Sequence, residues 1–487
     1  MSMRFGDLFK NWSDLFGERI ATGIAYDSRK VTPGGIFVAI PGTTMDGHAF
    51  IEDAITRGAA VIVGEREETG FPAGVTFIQV PDARIALTEI SAEWFDYPAK
   101  KLTILAVTGS NGKTTSTYLM QSVLKAANKK CAVFGTIGHV IGGVHRNTVH
   151  TTPESFDLQS LFADAVSAGD RFVAMEVSSH ALALNRVHGV PFEGAIWTNL
   201  TQDHLDFHQT MDNYFAAKSE LFEGASAANI RIVNKDDEYA SRMLKHKGIF
   251  SFAIDQPVAN YRATQIRYGN TGTEFVANGV QAGPLHLMSQ FYGKYNVQNV
   301  LGVVALMDRL GIDGKSITSG IHSLSGVPGR LQKISSKPEV KVFIDYAHTP
   351  DAIENVIRTA REFTKGKLHI VFGCGGNRDK TKRPLMGVAA CLGDLVYVTS
   401  DNPRFEEPDA IIADILPGMK DHLKKAIVEA DRKTAIRTAC KALKENDVLL
   451  VLGKGAEEYL EIKGVRHPYS DELEVTKGLV AAGWGNA

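Results

Sequence analysis

Cysteine is scarce in this sequence, with four in 487 residues. Cys131, Cys374, Cys391 and Cys440 form no CxxC pair and no zinc-finger spacing, so a disulfide framework is excluded and a reducing compartment is expected. Long apolar runs are missing as well, since no uninterrupted stretch approaches the ~20 residues of a membrane span. The opening MSMRFGDLFKNWSDLFGERI has no signal-peptide core. A cytoplasmic chain without membrane insertion is expected. Charge of one sign is not in excess, because 53 Lys plus Arg face 55 Asp plus Glu for a net −2. With no basic stripe either, no nucleic-acid partner is expected. Repeats, low-complexity tracts and long charge runs are also absent. What is present, 44% hydrophobic and 22% charged residues, is the composition of a globular protein, and at ~150 residues per domain the length suggests about three domains.

The pattern supports an α/β chain of three domains. Residues 1–97 carry short β-rich runs and turns, the Asp27-Ser28-Arg29 corner among them, and end at Tyr97-Pro98, where proline restricts the residue before it. This reads as a small N-terminal α/β domain. From residue 98 to about 332, the runs LTILAVTG, CAVFGTIG, RFVAMEV, GAIWTNL and IRIVN alternate with helix-length segments, as parallel strands buried on both faces do. A second such series, VKVFIDYA, LHIVFGCGG, LVYVTSDNP and DVLLVLGKG, fills residues 333–487 and predicts a Rossmann-like domain. Polar clusters follow the strands directly, and in open α/β sheets ligands collect beyond the carboxyl ends of strands. A cleft between the last two domains is expected.

Residues 106–115, AVTGSNGKTT, lie between the strand LTILAV and the helix-like STYLMQSVLKAA. A glycine turn lets backbone amides approach a triphosphate, the helix N-terminus adds positive potential and Lys113 adds a full charge. Thr114 is placed to hold Mg2+ through its hydroxyl. Val107 stands where the usual pattern has its first glycine, so Gly109 makes the early turn of a shortened variant. The phosphate site comprises Gly109, Ser110, Asn111, Gly112, Lys113, Thr114 and Thr115. It names ATP as cosubstrate and leaves the reaction open.

Other residues admit two readings each. Glu176 ends the run FVAMEV, where an unpaired carboxylate is costly, so a metal, a cation or a salt bridge is expected beside it. His204 and His208 stand four apart with Asp203 and Asp206, a spacing zinc hydrolases use, but no compact third ligand is evident; His208 is read as a cap or surface residue. Lys218, in the helical NYFAAKSELF, reads plainly as a solvated lysine. Asn296 reads as a structural amide.

TTP at 151–153, EVSSH at 176–180, TNLTQDHLD at 198–206, KSELF at 218–222, GKYNVQN with Asn296, PGR at 328–330 and DYAHTP at 345–350 occur in that order. Together with the phosphate loop they resemble the Mur ligases over essentially the whole chain, and DSR, EVSSHAL and DNPR resemble the branch that adds diaminopimelate. The resemblance implies a two-step amide synthesis. ATP phosphorylates the terminal carboxylate of UDP-N-acetylmuramoyl-L-alanyl-D-glutamate, and the amine of meso-2,6-diaminopimelate attacks the acyl phosphate. It implies that Glu176 and His204 help hold Mg2+, that Lys218 is a carbamate (N6-carboxylysine) binding a second Mg2+, and that Lys113, Glu176, His204 and Lys218 are catalytic. Asn296 is implied toward adenine, Arg330 toward phosphates and Asp345 toward ribose, with His348 at the same interface. Ser28, Thr43, Thr44 and Met45 match uridine contacts. Thr151, Thr152, Ser178 and Arg186 match contacts to the muramoyl-peptide, although Leu184 replaces a customary glutamine.

For the added amino acid the implied pocket is Arg378, Asp401, Asn402, Pro403, Arg404, Gly453 and Glu457. Diaminopimelate is lysine with a further carboxylate, so a fixed cation should discriminate between them. Arg404 can meet that carboxylate with a bidentate fork, against the plainer reading of a surface ion pair worth little. Glu457 suits the distant ammonium. The competing readings are a lysine-adding ligase, a folate-polyglutamate ligase, a mechanical or nucleic-acid-coupled ATPase, and a non-catalytic nucleotide-binding scaffold. A monomer is expected.

Overall fold

The computed structural model describes residues 3–9, 19–42, 45–148, 150–224, 226–269, 272–334 and 336–485. The chain forms two compact units, one of residues 1–106, 129–195 and 216–229, the other of residues 107–128, 196–215 and 230–487.

The first unit contains a sheet of four parallel strands in chain order, Ile24–Ala25, Ile36–Val38, Val61–Gly64 and Thr76–Gln79. Strand residues alternate between its faces. Ile36, Val38, Val61 and Val63 pack with Leu87, Ile90 and Trp94 of helix Ala83–Trp94, whereas Phe37 and Ile62 pack with Ile51 and Ala54 of helix Ile51–Thr56. Both faces are covered, and the three strands before Thr76–Gln79 carry no polar side chain. Helix Ala83–Trp94 starts where the Asp82 carboxylate accepts the amides of Arg84 and Ile85. It gives way to Asp96 and Tyr97 in left-handed conformation and to Pro98, which opens a 3-10 turn over Pro98–Lys101. Also in this unit, strand Cys131–Gly135 pairs in parallel with Phe172–Glu176 and carries the hairpin Gly138–Ile141 and Val144–Arg146.

Strands Thr103–Thr108 and Phe192–Trp197 have residues in both units. In the second unit, Ile230–Asn234, Ile249–Ala253 and Tyr261–Tyr268 run parallel, and Thr273–Asn278 and Leu285–Ser289 continue as an antiparallel meander. Helix Lys294–Arg309 is buried along nearly its whole length. A six-stranded sheet follows, in the order Gln332–Ile334, Lys341–Asp345, Val448–Leu452, Leu368–Phe372, Leu395–Val398 and Ala426–Val428. All its pairings are parallel except the first. Phe343, Ile370, Leu450 and Leu452 face one apolar cluster while Val342, Ile344, Val371, Leu449 and Val451 face another. The last-made strand, Val448–Leu452, is inserted between the first two parallel strands to be made. This reversal of strand order opens a crevice at the carboxyl ends.

The apolar runs read from the sequence are strands. The meander over residues 261–289 was not among them, because its strands alternate buried and exposed residues instead of forming continuous apolar runs.

Candidate active site

Strand Thr103–Thr108 leads into the glycine loop, and helix Lys113–Ala126 leaves it. Gly109 and Gly112 have φ of +145° and +88°. A Cβ on them would lie 1.9 Å from Thr198 Oγ1 and 2.3 Å from Asn299 Oδ1, so neither position admits a side chain. The TNLT segment pins the loop from below. The Asn111 amide donates to Asn199 Oδ1 at 2.9 Å, Ser110 Oγ to the Thr201 carbonyl at 3.0 Å, and the Thr198 hydroxyl to the Asn111 carbonyl at 2.5 Å. Lys113 Nζ donates to the carbonyls of Gly109 at 2.7 Å and Ser110 at 3.0 Å, which holds its charge over the loop. Rigid amides, a helix N-terminus and a held ammonium together make a phosphate-binding nest.

A cavity of about 420 Å³ adjoins this loop, lined by Asn111, Gly112, Thr115, Asn296, Arg330 and Asp345 among others. Arg330 Nη2 donates to Thr114 Oγ1 at 3.0 Å, and its guanidinium lies 4.8 Å from the Tyr346 ring centroid. Asp345 accepts the amides of Leu331 at 2.6 Å and Ala347 at 2.8 Å. Burial pushes its pKa up, against the pull of Arg330. Asp345 therefore fixes the turn that carries Arg330. Asn296 Nδ2 donates to the Tyr292 carbonyl at 2.9 Å and its Oδ1 accepts from Asn299 at 3.2 Å, so the side chain lines the cavity while bracing the start of its helix.

In the same unit, Lys382 Nζ stands 2.9 Å from Asp203 Oδ1, and His204 Nε2 stands 3.3 Å from Asp203 Oδ2. Burial opposes the Asp203 charge, yet His204, His348 and Lys382 together hold its carboxyl below the ordinary carboxylate range. His208, read as a cap or surface residue, is instead buried against Tyr214, with ring centroids 5.0 Å apart. Among the described residues, no three His, Cys, Asp or Glu side chains are grouped so as to hold a metal. The Thr114 hydroxyl and Glu176 carboxylate are nevertheless hard oxygen donors of the kind Mg2+ takes, an ion that draws most of its shell from water and phosphate.

In the first unit, Glu176 is buried at the end of strand Phe172–Glu176, where its oxygens accept the Thr136 amide at 2.9 Å and the Thr136 hydroxyl at 3.0 Å. Thr151 Oγ1 lies 3.0 Å from the same hydroxyl. Thr152 donates to the Glu176 carbonyl at 2.9 Å and accepts the Ser178 amide at 3.1 Å, and Ser178 caps helix Ser179–Ala183. Arg186 Nε lies 2.8 Å from Glu154, which also takes Arg84 at 3.1 Å. Two guanidinium groups thus share one carboxylate, and Arg84 carried no signal in the sequence. Leu184 is half-buried beyond the helix end. Ser28 is buried beneath the Asp27-capped turn, and Met45 is exposed. Thr43 and Thr44 lie outside the described residues. Lys218, in helix Met211–Glu223, is 1% exposed, and so the reading of a solvated lysine is overturned.

The crevice of the six-stranded sheet collects the remaining candidates. Gly376 donates its amide to the Asn402 carbonyl at 2.9 Å, and Arg404 Nη1 donates to the Gly376 carbonyl at 2.8 Å. Arg404 is left-handed at φ +53°, and its Nε lies 3.5 Å from Glu461. Arg378 is exposed on the adjacent loop. Gly453, at φ +114°, lets Asp401 approach, since a Cβ there would lie 2.5 Å from Asp401 Oδ2. Asn402 Nδ2 donates to Glu457 Oε2 at 2.8 Å. The sequence reading missed Lys454, Glu461 and Arg383. Arg383 is buried and clamps Glu406 through both oxygens at 2.8 and 3.0 Å. Arg383 and Glu461 meet partners far off in sequence, whereas Lys454 pairs with Glu457 three residues on, and it is the burial of Lys454 that no local pattern announces.

Three family models match the chain: the Mur ligase family catalytic domain over residues 21–95, the Mur ligase middle domain over residues 107–307, and the Mur ligase glutamate ligase domain over residues 329–455. The chain belongs to the Mur ligase family and has the family's three-domain α/β architecture. Within that family its relatives are diaminopimelate-adding, MurE-type members. The UDP-N-acetylmuramoyl-L-alanyl-D-glutamate--2,6-diaminopimelate ligase 1 of Clostridium acetobutylicum is 42% identical, over 93% of this chain and 94% of that protein. The ligase of the same name, without the numeral, from Solibacter usitatus is 43% identical over 94% of each. A solved structure of such a ligase is 33% identical, covers 99% of this chain and 100% of its own, and gives a TM-score of 0.71.

Proposed function

We propose that the protein joins meso-2,6-diaminopimelate to UDP-N-acetylmuramoyl-L-alanyl-D-glutamate at the expense of ATP, through an acyl phosphate, in peptidoglycan precursor synthesis. The observation that carries this is the second unit's pairing of a phosphate nest and nucleotide cavity with a crevice holding the cation Arg404. Two anions must meet for the first step, so cations have to converge on the transferred phosphoryl group. Lys113 and Arg330 supply two of them. We assign Mg2+ to Thr114, Glu176 and His204; when bound, it would neutralise phosphate charge as a Lewis acid. Asn296, Arg330 and Asp345 are assigned to the nucleotide.

Arg186, with Thr151, Thr152 and Ser178, is assigned to the muramoyl-peptide, and Ser28 with Thr43, Thr44 and Met45 to the uridine. The guanidinium groups of Arg186 and Arg84 beside Glu154 support an anionic ligand there. Arg404 and Arg378 are assigned to the far carboxylate of diaminopimelate, and Glu457, with Asp401, Asn402, Pro403 and Gly453, to the rest of its amino-acid end. Lys218, which is buried, is assigned as the carbamate that the resemblance implies; an unmodified mass for the peptide under CO2-trapping conditions would count against it. Boundaries at 97/98 and 332/333, a cytoplasmic monomer and no nucleic-acid partner complete the reading. No helix among the described residues is long and apolar enough to cross a membrane.

The test is phosphate release with ATP, Mg2+ and the UDP-muramoyl-dipeptide. Release that requires diaminopimelate and is not supported by lysine is expected. Release stimulated by nucleic acid, with no amino-acid requirement, would refute the proposal.

A further inference from the structure

Lys454 has no solvent exposure, yet it carries an ammonium group into the crevice. Its Nζ lies 2.9 Å from Glu457 Oε2 and donates to Asn402 Oδ1 at 3.0 Å, between the rings of Tyr459 and Tyr469 at 5.4 and 5.9 Å. A buried cation is tolerated only when paired and hydrogen-bonded, and here both partners are residues assigned to the incoming amino acid. The same pattern recurs at Arg404, which is held by Glu461 and the Gly376 carbonyl. Each side of the crevice is thus an internally neutralised pair, Lys454 with Glu457 and Arg404 with Glu461. Arg378, exposed on the adjacent loop, and Asp401, beside Gly453, add one charge of each sign, and Arg466 lies 4.4 Å from the Tyr459 ring centroid.

We propose that Lys454 is a specificity-determining positioning residue, which cancels the charge of Glu457 so that the crevice takes an amino-acid end that is zwitterionic and rejects one that is cationic. The inference rests on the function proposed above. The far end of diaminopimelate carries a carboxylate and an ammonium and is neutral; the far end of lysine is a bare ammonium. Where Lys454 and Arg404 are each already paired, the first finds a partner for each of its groups, whereas the second brings an uncompensated charge into a desolvated place and offers Arg404 no further carboxylate. Asn402, accepting from Lys454 and from the Glu461 amide at 2.9 Å, ties the two pairs into one frame.

The experiment compares kcat/KM for meso-diaminopimelate and for L-lysine in the full-length enzyme, in Lys454→Met, Glu457→Gln and the double variant. Lys454→Met leaves Glu457 uncancelled, so the diaminopimelate-to-lysine ratio should fall about tenfold or more, the change in KM for the amino acid exceeding that in kcat. Glu457→Gln leaves the cation uncancelled and should weaken lysine use further. The double variant restores neutrality and should regain most of the discrimination, at lower affinity. A purely structural lysine would not give this reversal. Affinity for an ATP analogue, measured alongside, reports that the second unit is folded in each variant. A ratio in Lys454→Met within about twofold of wild type, or a double variant no more discriminating than the single, overturns the inference. Wild-type enzyme that fails to ligate diaminopimelate would instead overturn the function on which it rests.

Discussion

The guanidinium of Arg330 donates to the hydroxyl of Thr114 across 3.0 Å, although 216 residues separate them in the chain. The contact joins the first turn after the phosphate loop to the segment that opens the six-stranded sheet. Arg330 is thereby held beside the phosphate loop.

Arg330→Ala should weaken nucleotide binding by about 2 kcal/mol, roughly thirtyfold, the value of a hydrogen bond to a charged group. Titration calorimetry with an ATP analogue checks this. Unchanged affinity would remove Arg330 from the phosphate site.

Gly112→Ala places a methyl group 2.3 Å from Asn299 Oδ1 on a backbone at φ +88°. The strain is expected to cost about 1–3 kcal/mol and to abolish tight nucleotide binding. Thermal unfolding with and without ATP analogue should show a lowered midpoint and no ligand-induced rise.

Arg404 has a left-handed backbone at φ +53°, so glycine is the least disruptive replacement. Arg404→Gly should keep stability and the KM for ATP while kcat/KM for meso-diaminopimelate drops by orders of magnitude, up to roughly 10⁴. Retained preference for diaminopimelate over lysine in steady-state assays would contradict the role given to the guanidinium.

Glu406 is held at a pKa of about 2, below its ordinary 4.5, chiefly by the hydrogen bond from Arg383 and then by the Asn377 amide. A depressed carboxylate stabilises the fold fully above about pH 4.5, and that contribution is lost as the pH falls toward 2. Glu406→Gln should therefore be less stable at neutral pH and flatter in its stability profile over that acid range. Urea unfolding at a series of pH values measures both; identical slopes for the two proteins would deny the ion pair its stabilising part.

Much of this was legible in advance for a simple physical reason. Strands such as Val448–Leu452 and Cys131–Gly135 are buried on both faces, so their residues are all apolar, and the phosphate loop is a local motif whose glycines answer to local geometry. His208 was misread, and the plain alternative of a solvated Lys218 failed, because burial is decided by packing against distant segments. Arg84, Arg383 and Lys454 escaped notice for a related reason, since a charged residue looks the same in sequence whether it is solvated or locked to a carboxylate. Asn296 was read two ways, as structural amide and as nucleotide contact; its hydrogen bonds show the first, and it lines the cavity beside the phosphate loop.

Strand Val448–Leu452 is bonded on one side to Lys341–Asp345 and on the other to Leu368–Phe372. During synthesis on the ribosome those flanking strands emerge first, with the slot between them still vacant. The six-stranded sheet therefore cannot close until residue 452 has been made, and a product terminated before residue 448 lacks the middle of the sheet rather than its edge.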